Sequence, residues 1–130
     1  MRLHGVLYRS VTPAGMKDFQ CFIRSGLAKE LIENRFLVPF HEAGQLGEDQ
    51  LLQLEELPFV SYPYEWCFGQ LLDAAKLTIS LALAALQKGM IIKDASAFNV
   101  AWHQGKPIFI DHGSFVRYQE SQPWQAYRQF

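Results

Sequence analysis

Asp94, Asn99 and Asp111 are the residues whose types and spacing could do chemistry. Residues 98–102 and 107–110 read as two strands joined by the turn His103-Gln104-Gly105-Lys106. A turn centred on Gly105 would set Asn99 opposite Asp111 at the open end of the ladder, with Cα atoms roughly 4.5–5.5 Å apart. An amide oxygen and a carboxylate at one mouth suit a magnesium ion that completes its octahedron with phosphate oxygens. Asp94 lies on the loop entering the hairpin, where a carboxylate can orient a hydroxyl or accept its proton. Gly113 would let the backbone turn sharply and aim Asp111. Each residue also has a plain structural reading: a loop carboxylate satisfied by backbone N–H groups for Asp94, a strand-end residue for Asn99, an Asx-turn for Asp111. His112 reads as a packed or hydrogen-bonded histidine before a ligand or proton carrier. Ser96 and Ser114 have no paired base, so a serine nucleophile has little support.

The elements that must position these residues are legible to different degrees. Residues 3–11 read as a strand stopped by Thr12-Pro13-Ala14-Gly15. Phe19, Phe22, Ile23, Leu27, Leu31 and Ile32 recur at helical spacing over 17–33, interrupted at Gly26, with Ser25 placed to cap the second half. Residues 36–40 read as a short strand, and 41–56 carry no firm pattern. Residues 57–66 are extended, because Pro58 and Pro63 push their predecessors out of the helical region. Their aromatics Tyr62, Tyr64 and Trp66 could stack on a flat ligand, or equally pack in a core or interface. A helix over 68–88 is the clearest element, apolar nearly all round after Leu77 and therefore expected to be buried on most sides, with Gly89 as its stop. The sequence predicts an α+β fold in one domain, 1–130: an N-terminal part (1–56), a central region (57–115) and a tail (116–130).

Composition bounds the function. Twelve Lys+Arg against thirteen Asp+Glu give a net charge of −1 and a pI near 6.4, which offers no basic excess for a phosphate backbone and argues against nucleic acid as a partner. Hydrophobic residues at 49% suffice for a real core. Cys21 and Cys67 have no partner at ligand spacing, which predicts neither a disulfide framework nor a zinc site and points to a reducing, cytoplasmic setting. The most apolar stretch, 77–86, is shorter than a bilayer span, so no membrane is expected.

The run Lys93-Asp94-Ala95-Ser96-Ala97-Phe98-Asn99, followed by Asp111-His112-Gly113, resembles the catalytic loop and metal-binding segment of the protein-kinase-like fold, which includes aminoglycoside and choline kinases. The specific spacing covers 90–115, the match is looser over 57–89, and it is weak over 1–56. The resemblance implies Asp94 as catalytic base, Asn99 and Asp111 as magnesium ligands, and Tyr62, Tyr64 and Trp66 near the nucleotide at an interlobe hinge. It implies ATP and Mg2+ as cofactors and a hydroxyl-bearing acceptor. More narrowly, the wording resembles kinase-like segments beside bacterial S-adenosylmethionine-dependent methyltransferase domains. The sequence departs from the pattern at several points. Ile92 stands where a histidine is usual, His112 sits between the Asp and the Gly, and neither a glycine-rich loop nor a phosphate-binding lysine is found. An inactive kinase-like binding or regulatory module is therefore the alternative expectation, with an adjoining domain or a second copy covering the apolar helix.

Overall fold

Turn chemistry splits the first predicted strand in two. The computed structural model describes residues 1–58 and 60–130; Phe59, inside the extended 57–66 stretch, lies outside the described residues. His4 and Gly5 both have positive φ, 49° and 82°, and form a two-residue turn between β1 (Arg2–Leu3) and β2 (Val6–Val11). The helical pattern over 17–33 becomes α1 (Met16–Arg24) and α2 (Leu27–Glu33), broken at Gly26, whose φ of 80° is left-handed. The Ser25 hydroxyl accepts a hydrogen bond from the Leu27 N–H at 3.3 Å, one position ahead of the helix cap, which is Gly26.

The expected strand at 36–40 is reduced to a single bridge between Leu37 and Phe109. Beyond it, the unpatterned 41–56 segment forms a hairpin of β3 (Phe40–Leu46) and β4 (Asp49–Leu54). β3 is an exposed edge strand, so no alternation of apolar residues marks it. The four strands form an antiparallel sheet in the order β1-β2-β4-β3.

Helix α3 (Phe68–Gln87) stands where the sequence predicts it, ended by Gly89 at φ 74°. It is followed by β5 (Met90–Ile92), the hairpin β6 (Val100–His103) and β7 (Lys106–Phe109), and β8 (Phe115–Arg117), which pairs with β5. The expectation that α3 is buried on most sides is corrected. One face is buried through Ala74, Leu77, Thr78, Leu81, Ala82 and Ala85, while Ile79, Leu83 and Leu86 on the other side are exposed. With twenty residues, α3 is also longer than the apolar stretch read from sequence, and by length and composition it could cross a membrane. Its buried face packs as a core helix does.

One core joins the parts. Phe22 of α1 stacks on Phe115 of β8 with centroids 4.6 Å apart and planes 7° from parallel, and Phe109 meets Phe115 edge-on. Leu31, Leu52, Leu81 and Ile92 fill the remaining space. Each such burial stabilises by about 1.5–3 kcal/mol. Outside the core, Arg117 donates to Asp18 Oδ1 through its backbone N–H (3.0 Å) and its Nε (2.8 Å), tying β8 to α1. Burial works against the Asp18 charge, but the Arg117 hydrogen bonds and charge outweigh it and hold the pKa below the usual carboxylate range. The architecture is α+β.

Candidate functional site

The hairpin register decides which side chains meet. Val100 pairs with Phe109 and His103 with Lys106, so the turn residues are Gln104 and Gly105, with φ of 51° and 77°. The turn is thus centred between these two, not on Gly105. Asn99 lies opposite Ile110, whose N–H donates to the Asn99 carbonyl at 2.9 Å; the expected Asn99–Asp111 pairing is off by one residue. Period-two alternation still sets β6 against β7, but Asn99 and Asp111 stand in irregular backbone at the open end.

The three residues are nevertheless held on one closed ring of hydrogen bonds. The Asn99 Nδ2 donates to the Asp94 carbonyl at 3.4 Å. The Asn99 carbonyl accepts from Ile110, the neighbour of Asp111. Asp111 Oδ2 accepts from the Ser114 hydroxyl at 2.5 Å. The Ser114 carbonyl accepts from the Lys93 N–H at 2.8 Å, and Lys93 precedes Asp94. Asp94 also folds on itself, its Oδ1 accepting from the Ser96 N–H at 3.1 Å. Its Oδ2 and the Asn99 Oδ1 have no donor among the described residues.

Asp111 is the most engaged of the three. Its Oδ1 accepts from the Arg9 guanidinium of β2 and from the Gly113 N–H (3.2 Å). Gly113 has no left-handed φ, and a Cβ there would meet Asp111 Oδ1 at 3.6 Å, an ordinary contact. The sharp-turn role expected for this glycine is therefore corrected: a 3-10 turn over His112–Ser114 with ordinary backbone angles presents the carboxylate. Arg9 is half-buried, and burial lowers its pKa, yet a guanidinium stays charged.

His112 is a structural histidine. Its Nε2 donates to the Val38 carbonyl at 2.7 Å, and its ring meets Phe40 edge-on at 4.7 Å. Burial, with the Arg9 charge added, pushes its pKa down to about 4, against the opposing pull of the Val38 hydrogen bond. The ring is neutral near pH 7 and carries no proton to the site.

Beside the ring lies a cleft of about 410 Å3. One wall is β2 through Leu7 and Tyr8, the other is Val38, Ala101 and Ile110, and the segment from Leu54 to Leu57 closes the edge. Arg9 lines it too and carries the cleft to Asp111. Tyr62, Tyr64 and Trp66 are not among its lining residues. Tyr62 and Tyr64 stack on each other at 5.5 Å and are exposed, while Trp66 packs edge-on to Trp102 and donates to the Ser61 hydroxyl. Hydrogen bonds link Asp94, Asn99 and Asp111 through neighbouring backbone, and neither these three nor the aromatic group is among the residues that line the cleft.

Sequence reading missed Arg9 and Ser114. The resemblance points to a lysine for the cation at the site, whereas the structure supplies Arg9, 102 positions from Asp111 along the chain. In the sequence Ser114 reads only as a serine without a paired base. The offset of three from Asp111 was its available signal, since short polar side chains bond locally at such turns.

No family model matches the chain. The nodulation protein NoeA of Rhizobium meliloti (strain 1021) is 35% identical to it over 109 residues, a stretch that covers 78% of this chain and 23% of that protein. The chain thus spans about a quarter of the length of this curated relative.

Proposed function

We propose that the chain is a kinase-like domain that binds a magnesium nucleotide in the cleft and transfers its terminal phosphoryl group to a hydroxyl held at Asp94. The observation that carries this reading is the hydrogen-bonded ring, which links a carboxylate with one free oxygen, an amide with a free oxygen and a carboxylate paired with Arg9, the residue that lines the neighbouring cleft. The apolar walls suit a flat base. Glu56 and Leu57 line the edge, and their backbone groups have no hydrogen-bond partner among the described residues.

The donor set fits magnesium only in company. No group of three His, Cys, Asp or Glu side chains occurs among the described residues. A magnesium bound largely through phosphates needs only one or two protein oxygens, which Asn99 Oδ1 and Asp111 supply. The ion would neutralise charge on the transferring group. Arg9 holds Asp111 in the unliganded site, and its planar fork is equally suited to phosphate oxygens. When phosphates draw Arg9 away, Asp111 is released. Asp94, fixed by Ser96 and Asn99, then orients the acceptor hydroxyl and takes its proton.

A second reading rests on the same pair. Asp111 already has three donors, which favours a module that binds a nucleotide or a neighbouring domain without chemistry, for example beside a methyltransferase in a longer protein. Thermal shift with ATP, with and without Mg2+, and phosphoryl transfer to a panel of small alcohols by Asp94→Asn and Asp111→Asn variants separate the two. Phosphotransfer predicts a magnesium-dependent shift retained in Asp94→Asn and turnover lost in both variants. A magnesium-independent shift without turnover selects the binding module, and no shift with any nucleotide refutes the nucleotide reading.

A further inference from the structure

We propose that a second cavity, at the turn end of the β6–β7 hairpin, binds a small organic phosphate. The cavity measures about 490 Å3 and shares no lining residue with the nucleotide cleft. Its floor is apolar, from Phe36, Leu77 and Ile108. Three cations, Arg35, Lys76 and Lys106, line it against one carboxylate, Asp73, in a chain whose net charge is −1. Lys76 reaches Asp73 only at 4.0 Å, while Arg35 and Lys106 have no acidic partner among the described residues. Three cations against one carboxylate leave a net positive charge on the lining, which an anion would offset.

A buried polar atom without a partner lies at the same place. The Nδ1 of His103, which lines the cavity, is buried and has no hydrogen-bond partner among the described residues. A buried polar atom without a partner is costly, and a rotation of the His103 ring toward the cavity would let its N–H donate to a phosphate oxygen. The backbone is also strained here. Arg35, in the left-handed position after α2 where glycine is usual, has φ 59°, and Gln104 has φ 51°. Only four non-glycine residues of the described chain have positive φ, and these two line one cavity. Each angle is set locally, that of Arg35 by the end of α2 and that of Gln104 by the two-residue hairpin turn. A guanidinium and two ammonium groups over an apolar floor select a doubly charged phosphate with an apolar body, since a monocarboxylate would leave charge uncompensated.

The test is an amide NMR titration of the 130-residue chain with inorganic phosphate and with phenyl phosphate. The expected result is saturable shifts at residues 34–36 and 103–108, with phenyl phosphate binding more tightly than inorganic phosphate. Arg35→Gly and Lys106→Gln should each weaken phenyl phosphate roughly tenfold, the effect of one charge-assisted hydrogen bond. Arg35→Gly relieves the backbone strain and should melt no lower than the wild type, so lost binding cannot be ascribed to unfolding. Shifts that stay linear to about 50 mM show an adventitious ion only and overturn the proposal. So do saturable shifts that map to residues 7–10 and 54–57, which belong to the nucleotide cleft, or binding that both variants leave unchanged.

Discussion

Replacing Ser114 by alanine removes the hydroxyl that donates to Asp111 Oδ2 at 2.5 Å. Ser114 is fully buried, and the Asp111 side chain is 18% exposed. Water therefore replaces the lost donor poorly. A hydrogen bond to a charged group contributes roughly 1.5–3 kcal/mol, and because Asp111 keeps its Arg9 and Gly113 donors this one lies near the lower end, about 1.5–2 kcal/mol. The Lys93 N–H bond to the Ser114 carbonyl survives, because it belongs to the backbone. For a chain of this size the loss corresponds to a fall in Tm of roughly 4–10 °C. Urea denaturation of the wild type, Ser114→Ala, Asp111→Asn and the double variant closes a cycle that isolates the pair. The coupling should be at least about 1 kcal/mol. A Ser114→Ala cost below about 0.5 kcal/mol, or one unchanged in the Asp111→Asn background, would refute the ring as the device that positions Asp111.

His112 makes stability depend on pH. Its folded pKa, about 4, lies below its ordinary 6.5, so the unfolded chain binds the extra proton between these values. Its contribution is complete above about pH 6.5 and is lost as pH falls toward 4; the difference in unfolding free energy between wild type and His112→Gln, measured by urea titration from pH 7 to 4, should narrow along the way. Gly26→Ala forces a Cβ into a left-handed φ of 80° with no side chain within 4 Å to clash, so the cost should be backbone strain alone, about 1 kcal/mol in urea denaturation. Ile79→Lys with Leu83→Lys should leave the Tm unchanged, since both side chains are more than half exposed, and should lower any self-association seen by light scattering.

Helices were the most legible part of the fold. The 3.6-residue period of Phe19, Phe22, Leu27 and Leu31 survives because one face of each helix is buried along its length. Strand β3 was illegible for the opposite reason: as an exposed edge it needs no apolar alternation, and its hydrogen bonds to β4 are made by backbone that any polar residue carries. The burial of α3 was overestimated because composition counts apolar residues but does not say which face meets a neighbour.

Local chemistry in the sequence determined that 98–110 folds back on itself, that Gly26 and Gly89 end helical segments, and that Asp94, Asn99 and Asp111 lie near one turn region. Those outcomes follow from spacing of a few residues and from backbone angles available to each residue type. Only the tertiary structure decided that Arg9 neutralises Asp111, that the Lys93 N–H meets the Ser114 carbonyl, that the aromatics at 62–66 lie off the cleft, and that Arg35, Lys76 and Lys106 surround one cavity. Such meetings join residues far apart in the chain, and their geometry is set by how sheet, helices and hairpin pack together, which no local pattern encodes.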